Sequence, residues 1–197
     1  MAAGPAPEAI TGLVLAGGRG QRLGGVDKGL QPWRGRPLVD HVLARLAPQV
    51  RSVMISANRN AAAYAARTGQ VLPDAAADFP GPLAGILAGL RAARTPWLAV
   101  VPCDAPCLPP DLIARLGAGL GGARAAVVAR DHGADGLRLE PVCCLLSTTL
   151  ADDLAAWLDG GGRKVEGWLS RHATPVRFDG AGDDAAFANI NTPADLA

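Results

Sequence analysis

The chain has 197 residues, of which 49% are hydrophobic and 19% are charged, and its formal net charge is +1. This length is enough for one domain with a sizeable core. The near-neutral charge gives no bulk attraction to nucleic acid or to an anionic membrane, and no apolar run reaches transmembrane length, so we expect neither partner. We predict a short disordered lead over residues 1–10 and a single domain over residues 11–197.

The cysteines and the first residues indicate the compartment. Cys103 and Cys107 are separated by three residues, which is neither a zinc-type nor a redox spacing, and Cys143 and Cys144 lie in an apolar run. Residues 1–8 lack the basic and apolar regions of a signal peptide. We therefore expect reduced thiols and a cytoplasmic protein.

Apolar strand patterns alternate with helical patterns along the chain. Predicted strands cover residues 12–15, 50–57, 71–72, 97–101, 125–129, 140–146 and, at a sheet edge, 175–178. Predicted helices cover residues 37–46, 60–68, 82–94, 110–116, 148–158 and 163–171, and Thr192-Pro193 suits the start of a terminal helix. The alternation predicts an α/β, Rossmann-like single domain, with a mostly parallel central sheet and helices on both faces.

A glycine-rich stretch follows the first predicted strand. The apolar run 13–16 breaks into Gly17, Gly18, Gly20, Gly24 and Gly25, interleaved with Arg19, Arg22 and Lys28. Glycines let a backbone approach a ligand closely, and basic side chains suit a polyphosphate, so the stretch predicts a phosphate site. A glycine-rich surface loop with solvated arginines is the alternative. The spacing matches neither a P-loop nor the dinucleotide-binding fingerprint.

Further polar residues follow the predicted strands where each strand ends. Ser56 and Asn58 come at the end of the second strand, Asp74 follows the third, and Asp104 follows the fourth. In an open α/β sheet, ligands bind beyond the carboxyl ends of the strands. We therefore expect these residues to meet the glycine-rich stretch at one edge of the sheet.

The glycine-rich stretch resembles the opening loop of the molybdenum cofactor guanylyltransferases, a family of nucleotidyltransferases. Its matching segments are Leu15-Ala16-Gly17-Gly18 and Arg22-Leu23-Gly24-Gly25-Val26-Asp27-Lys28-Gly29-Leu30. Related cytidylyltransferases tend to carry L-A-A-G, so Gly17 favours guanine. Further segments that resemble the family are 80–85 (P-G-P-L-A-G), 103–106 (C-D-A-P) and 187–193 (F-A-N-I-N-T-P). The resemblance covers residues 11–196 and implies the nucleotidyltransferase version of the predicted fold.

The resemblance also implies roles for individual residues. The expected catalytic residues are Lys28, Arg22 and Asp104, and Asp104 is also expected to hold the cofactor Mg²⁺. The expected GTP-binding residues are Leu15, Ala16, Gly17, Gly18, Lys28, Ser56, Asn58, Asp74 and Asp104. Ser56 departs from the asparagine common in the family. The expected acceptor-binding residues are Arg163, Asn189 and Asn191. From its position alone, Asp104 is equally well explained as a turn residue.

The implied reaction transfers GMP from GTP to the terminal phosphate of the molybdopterin cofactor, with release of pyrophosphate. The expected partners are GTP, the molybdopterin cofactor and molybdoenzyme apo-proteins or their chaperones. Two alternatives stay open from the sequence. One is a related nucleotidyltransferase that uses CTP or a sugar phosphate. The other is a non-catalytic delivery protein that binds GTP and molybdopterin without releasing pyrophosphate.

Overall fold

The computed structural model describes residues 4–16, 26–73, 81–133, 136–183 and 185–196 and builds them around a seven-stranded sheet. Its strands are β1 (Ile10–Leu15), β4 (Ser52–Ser56), β5 (Val71–Leu72), β6 (Trp97–Pro102), β7 (Ala125–Asp131), β8 (Leu137–Ser147) and β9 (Ala173–Arg177). They lie in the order β5-β4-β1-β6-β8-β7-β9. All neighbouring pairs are parallel except those made by β8, which is antiparallel to β6 and β7. The predicted mostly parallel sheet is confirmed.

The central strands are buried on both faces. In β1, Leu13 and Val14 are fully buried although they point to opposite sides of the sheet, and in β6 the run 98–101 is fully buried. Uninterrupted apolar runs of this kind are typical of parallel strands that are covered on both faces. The two strands pair along their whole length, from Ile10 beside Trp97 to Leu15 beside Pro102.

Helices cover both faces of the sheet, as predicted. They are α1 (Leu38–Leu46), α2 (Ala61–Thr68), α3 (Pro82–Ala92), α4 (Leu112–Ala118), α5 (Ala151–Asp159) and α6 (Val165–Leu169). Buried residues of α1, α2 and α4 share one hydrophobic cluster, and buried residues of α3, α5 and α6 share another. No helix in the described part of the chain combines the length and the apolarity that crossing a membrane would need.

Two local features differ from the predictions. A hairpin of two short strands, β2 (Pro32–Trp33) and β3 (Arg36–Pro37), precedes α1 and turns through Arg34 and Gly35, both with positive φ. The lead predicted to be disordered over residues 1–10 contains a 3₁₀ turn, Pro7–Ala9, and the first residue of β1. Residues 7–10 are ordered because Ile10 is apolar, buried and paired with Trp97.

Candidate functional site

The carboxyl ends of β1, β4 and β6 lie side by side at one edge of the sheet. Leu15 pairs with Ser56 on one side and with Pro102 on the other. The backbone ladder continues one residue further, since the amide of Ala16 donates to Ser56 at 2.8 Å and that of Cys103 donates to Leu15 at 3.1 Å. The predicted convergence of strand ends is therefore confirmed for these three strands.

Lys28 lies in a single 3₁₀ turn, Lys28–Leu30, and is directed at Asp104. Its ammonium makes an ion pair with the Asp104 carboxylate and donates a hydrogen bond to Oδ1 of Asn191 at 2.6 Å. The side chains of Lys28 and Asp104 are each 17% exposed. An ion pair that is this shielded from water interacts more strongly than a fully exposed pair. The structure thus brings together two predicted catalytic residues and one predicted acceptor residue.

The C-terminal segment that contains Asn191 is hydrogen-bonded to the residues that follow β6. The amide of Ile190 donates to the carbonyl of Asp104 at 2.9 Å. The amides of Asn191 and Thr192 donate to one carboxylate oxygen of Asp195 at 2.9 and 2.8 Å. These backbone donors hold the pKa of Asp195 below its usual range. The bond from Ile190 attaches the segment beside Asp104, and the bonds to Asp195 fix the local turn that follows Asn191.

A second group of contacts, which was not predicted from the sequence, joins helix α2 and its N-terminal flank to the residue that precedes Lys28. The Tyr64 hydroxyl donates to Oδ1 of Asp27, and the Asn60 amide donates to Oδ2 of Asp27 at 2.9 Å. Tyr64 is fully buried and is the one buried residue of α2. The signal available in the sequence was a single tyrosine among alanines in a predicted helix, because such a side chain needs both an apolar site and a partner for its hydroxyl.

The two weakly acidic groups beside Lys28 and Asp104 stay protonated at neutral pH. Burial, followed by the neighbouring Asp104 charge, raises the pKa of Cys103 to about 12. Burial and then the hydrogen bond to Asp27 raise the pKa of Tyr64 well above its ordinary value. A nucleophilic role for the Cys103 thiolate is thereby disfavoured, because the thiolate is the reactive form.

Ser56 faces helix α3 and is 1% exposed. A Cβ built on Gly85 of α3 would lie 2.6 Å from the Ser56 hydroxyl oxygen and 2.9 Å from the Leu15 side chain. Asn58, two residues further along, is exposed. Contacts of Ser56 and Asn58 with a nucleoside stay predictions, and of the two Asn58 is the more accessible to a ligand.

Gly85→Ala is expected to destabilise the protein by about 1–3 kcal/mol, because the new methyl group overpacks the joint between α3 and the ends of β1 and β4. The measurement is the free energy of unfolding by urea. Combining the change with Ser56→Ala should recover part of the loss, since it removes the nearest obstructing atom. A Gly85→Ala protein as stable as the parent would contradict the close packing.

The remaining predicted residues are placed as follows. Gly17, Gly18, Arg22 and Asp74 lie outside the described residues, so their roles stay predictions. Arg163 donates from Nη1 to the carbonyls of Leu158 and Gly162, both at 2.8 Å. Its guanidinium therefore caps the carboxyl end of α5, where a cation is favoured. A contact between Arg163 and the acceptor stays a prediction.

The family described as the MobA-like NTP transferase domain matches residues 12–175. The chain belongs to this family. A molybdenum cofactor guanylyltransferase of Acidovorax ebreus is 53% identical over 196 residues, covering 95% of this chain and 93% of that relative. The crystal structure of molybdopterin-guanine dinucleotide biosynthesis protein A from Archaeoglobus fulgidus superposes with a TM-score of 0.72 at 26% identity, covering 94% of each chain. The predicted fold and the prediction of a nucleotidyltransferase enzyme are confirmed.

A solved structure with a similar fold is named for a cytidyl compound. A 4-diphosphocytidyl-2C-methyl-D-erythritol synthase from Anaerococcus prevotii superposes with a TM-score of 0.73 at only 10% identity, covering 96% of this chain and 95% of that one. At this identity the similarity indicates a shared fold and gives no information about the substrate.

The residues of the MobA-like site fit a Mg²⁺ ion that protein and nucleotide hold together. Within the described residues, no three His, Cys, Asp or Glu side chains form a group that could hold a metal ion. Mg²⁺ is commonly held by one or two carboxylates together with substrate phosphates and water, rather than by an all-protein cage. Asp104, at the end of β6 and beside the Lys28 ammonium, supplies one such carboxylate. The donor set therefore fits Mg²⁺ that arrives with a nucleotide.

The contact between Asn191 and Lys28 predicts different effects for the same substitution at Asn189 and at Asn191. Asn189 is exposed, so Asn189→Asp is expected to leave GTP affinity unchanged. Asn191→Asp places a second carboxylate against the Lys28 ammonium, which then competes with the triphosphate for that cation. We expect GTP affinity to fall about tenfold, or 1.4 kcal/mol. The measurement is calorimetric titration with GTP and Mg²⁺, and equal affinities for the two variants would contradict the Asn191 contact.

Proposed function

We propose that this MobA-like nucleotidyltransferase transfers GMP from GTP to the terminal phosphate of the molybdopterin cofactor and releases pyrophosphate. The observation that carries the proposal is the Lys28 ammonium held between Asp104 and Asn191 at the end of β6. It is supported by the 53% identity to a relative named molybdenum cofactor guanylyltransferase. We also propose that the reaction takes place in the cytoplasm and that molybdoenzyme apo-proteins or their chaperones receive the product.

The proposed reaction needs no protein nucleophile. An oxygen of the acceptor phosphate attacks the α-phosphorus of GTP, and a new phosphoanhydride bond forms there. The bond from the α-phosphorus to the oxygen that bridges the α- and β-phosphates breaks, and its electron pair leaves with pyrophosphate. The task of the protein is to align these groups and to stabilise the charge that develops.

Lys28 is suited to the leaving pyrophosphate. Its ammonium is a compact point charge that can bind phosphate oxygens, and its present partners hold it at the edge of the sheet where ligands bind. On nucleotide binding, the triphosphate would become a further partner for this cation. Charge that builds on the leaving group would then be stabilised more in the transition state than in the bound substrate, which raises turnover.

Asp104 would hold Mg²⁺ together with phosphate oxygens, and the metal would supply positive charge at the triphosphate. Asn191 lies beside Lys28, so the side chain expected to serve the acceptor adjoins the side chain expected to serve the donor. The attacking and leaving groups must lie on opposite sides of one phosphorus atom. The adjoining positions of the expected donor and acceptor residues support a reaction between two substrates bound side by side.

The test is pyrophosphate release measured with GTP, CTP, ATP or UTP, each with Mg²⁺ and with or without molybdopterin. We expect release with GTP only when the acceptor is present. Release with CTP instead would support the related cytidylyl reaction. Tight binding of GTP and molybdopterin without any release would support the non-catalytic delivery protein.

A further inference from the structure

Asp27 joins helix α2 to the turn that carries Lys28. Both of its carboxylate oxygens accept hydrogen bonds from α2 or its N-terminal flank, one from Tyr64 and one from Asn60. Its backbone carbonyl accepts from the amide of Leu30 and from the side-chain amide of Gln31, each at 3.2 Å. Asp27 therefore connects a helix to the backbone of the Lys28 turn through bonds on both its side chain and its main chain.

Tyr64 also sets the space available to that turn. A Cβ built on Gly29 would lie 2.6 Å from the Tyr64 hydroxyl oxygen and 3.4 Å from the Cys103 sulfur. The hydroxyl therefore lies directly against the backbone of the residue that follows Lys28. The backbone amides of Leu30 and Gln31 bond within the turn and not to any strand, so hydrogen exchange at these two amides reports on the turn itself.

Asn60 is adapted to the same contact. It adopts a left-handed backbone conformation, with φ of 52°, directly before α2. This conformation is uncommon for residues other than glycine, and asparagine is among those that tolerate it best. The backbone turn brings the exposed Asn60 side chain to Asp27 across 33 positions of sequence.

We propose that Tyr64 and Asn60 are positioning residues that hold the Lys28 turn through Asp27, so that the Lys28 ammonium is in place for the triphosphate. The inference rests on the proposed function for its kinetic test. Tyr64 and Asn60 contact no substrate in this scheme, because their partner is the carboxylate of Asp27. Gly29 is required at its position because the Tyr64 hydroxyl occupies the space where a side chain would begin.

The simpler explanation is that Tyr64 only fills the core between α2 and the sheet. Tyr64→Phe separates the two explanations, because it keeps the buried ring and removes the hydroxyl. We expect turnover with GTP to fall at least about tenfold, since displacement of a catalytic group by about 1 Å can cost up to a hundredfold. Hydrogen exchange at the amides of Leu30 and Gln31 should become faster while exchange in β1 and β6 is unchanged.

Ala66→Gly is the matched control. Ala66 is an exposed residue of α2, and glycine there weakens the helix by about 1 kcal/mol without touching Asp27. We expect this control to lower the melting temperature and to leave turnover below that temperature near the parent value. If Tyr64→Phe and Ala66→Gly lower turnover in proportion to their loss of stability, Tyr64 is a packing residue and the proposal is wrong.

Asn60→Gly keeps the left-handed backbone and removes one donor to Asp27, so it provides an answer even if Tyr64→Phe does not fold. We expect a smaller fall in turnover than for Tyr64→Phe, and again faster exchange at Leu30 and Gln31. Parent-like turnover and exchange in Asn60→Gly would show that the hydrogen bond from Asn60 to Asp27 is not needed, which would contradict the proposal for Asn60.

Gly29→Ala completes the test as a double-mutant cycle. In the parent it should displace the Tyr64 hydroxyl and lower turnover, whereas in Tyr64→Phe the new methyl group has room and should cost little more. Additive effects would contradict the proposed contact. If the parent itself releases no pyrophosphate with GTP and molybdopterin, the proposed function fails, and exchange at Leu30 and Gln31 still decides whether Tyr64 holds the turn.

Discussion

Asp104→Asn is expected to lower turnover at saturating GTP and Mg²⁺ by at least about a hundredfold, in line with the loss of one preorganised charge-stabilising group. The amide keeps the shape of the side chain and one oxygen ligand but removes the negative charge that favours Mg²⁺. It also removes the anionic partner of Lys28, so the ammonium is no longer held by an ion pair. The effect should appear mainly in turnover, since charge neutralisation matters most as the phosphate bond breaks.

The fold of Asp104→Asn should survive, because the backbone bond from Ile190 to the carbonyl of residue 104 does not involve the side chain. A thermal melt alongside the kinetics checks this expectation. Asp111→Asn is the control, since Asp111 is a 59% exposed carboxylate that precedes α4. Near-parent turnover in Asp104→Asn with an intact melt would show that Asp104 is a turn residue and that the metal is held elsewhere.

Lys28→Gln is expected to lower turnover by about a hundredfold and to weaken GTP binding as well. The change removes the cation from the site and leaves the Asp104 carboxylate without its ion-pair partner, so the remaining charge repels a triphosphate. Lys28→Arg keeps the charge but replaces a compact ammonium by a planar fork, so we expect only partial recovery. The measurement is turnover against GTP concentration for both variants.

Chemical modification tests the contact between Lys28 and the triphosphate without relying on turnover. Lys28 and Lys164 are the two lysines of the chain, so acetylation followed by mass spectrometry reports each of them separately. GTP with Mg²⁺ should protect Lys28 and leave the exposed Lys164 reactive. Equal protection of both lysines, or of neither, would contradict a Lys28 contact with the triphosphate.

Most of the sheet could be predicted from sequence because its central strands are uninterrupted apolar runs. The run 97–101 is bounded by proline on both sides and became β6 with only one residue added. The antiparallel direction of β8 could not be predicted, because apolar periodicity shows that a strand is buried and not which neighbour it joins. The hairpin β2–β3 was missed because each strand has two residues and contains proline, which weakens a strand pattern.

The candidate site could also be predicted only in part from the sequence. Lys28 and Asp104 could be selected because each lies in a short motif that resembles a family pattern, but their ion pair spans 76 positions of sequence. The bond from Lys28 to Asn191 spans 163 positions, and that between Tyr64 and Asp27 spans 37. Contacts of this kind depend on how strands and loops are arranged in space, which no local pattern specifies.

Two expected site residues have neighbours that the sequence did not indicate. Asn191 was expected to bind the acceptor, which stays a prediction, and its side chain also accepts a hydrogen bond from the Lys28 ammonium. Ser56 was expected to bind GTP, and it is buried against Gly85 of α3, so its contact with a nucleoside stays a prediction. Both sets of neighbours arise from tertiary packing near the ends of β4 and β6, which no local sequence pattern specifies.

The transfer of GMP to molybdopterin is tested most directly by following the α-phosphate of GTP. The parent enzyme is incubated with Mg²⁺, molybdopterin and GTP that carries a radioactive α-phosphate, and the products are separated. We predict that the label appears in a molybdopterin-guanine dinucleotide and that pyrophosphate is unlabelled, because attack takes place at the α-phosphorus. Label that stays in GTP, or that appears only in free GMP, would contradict the account.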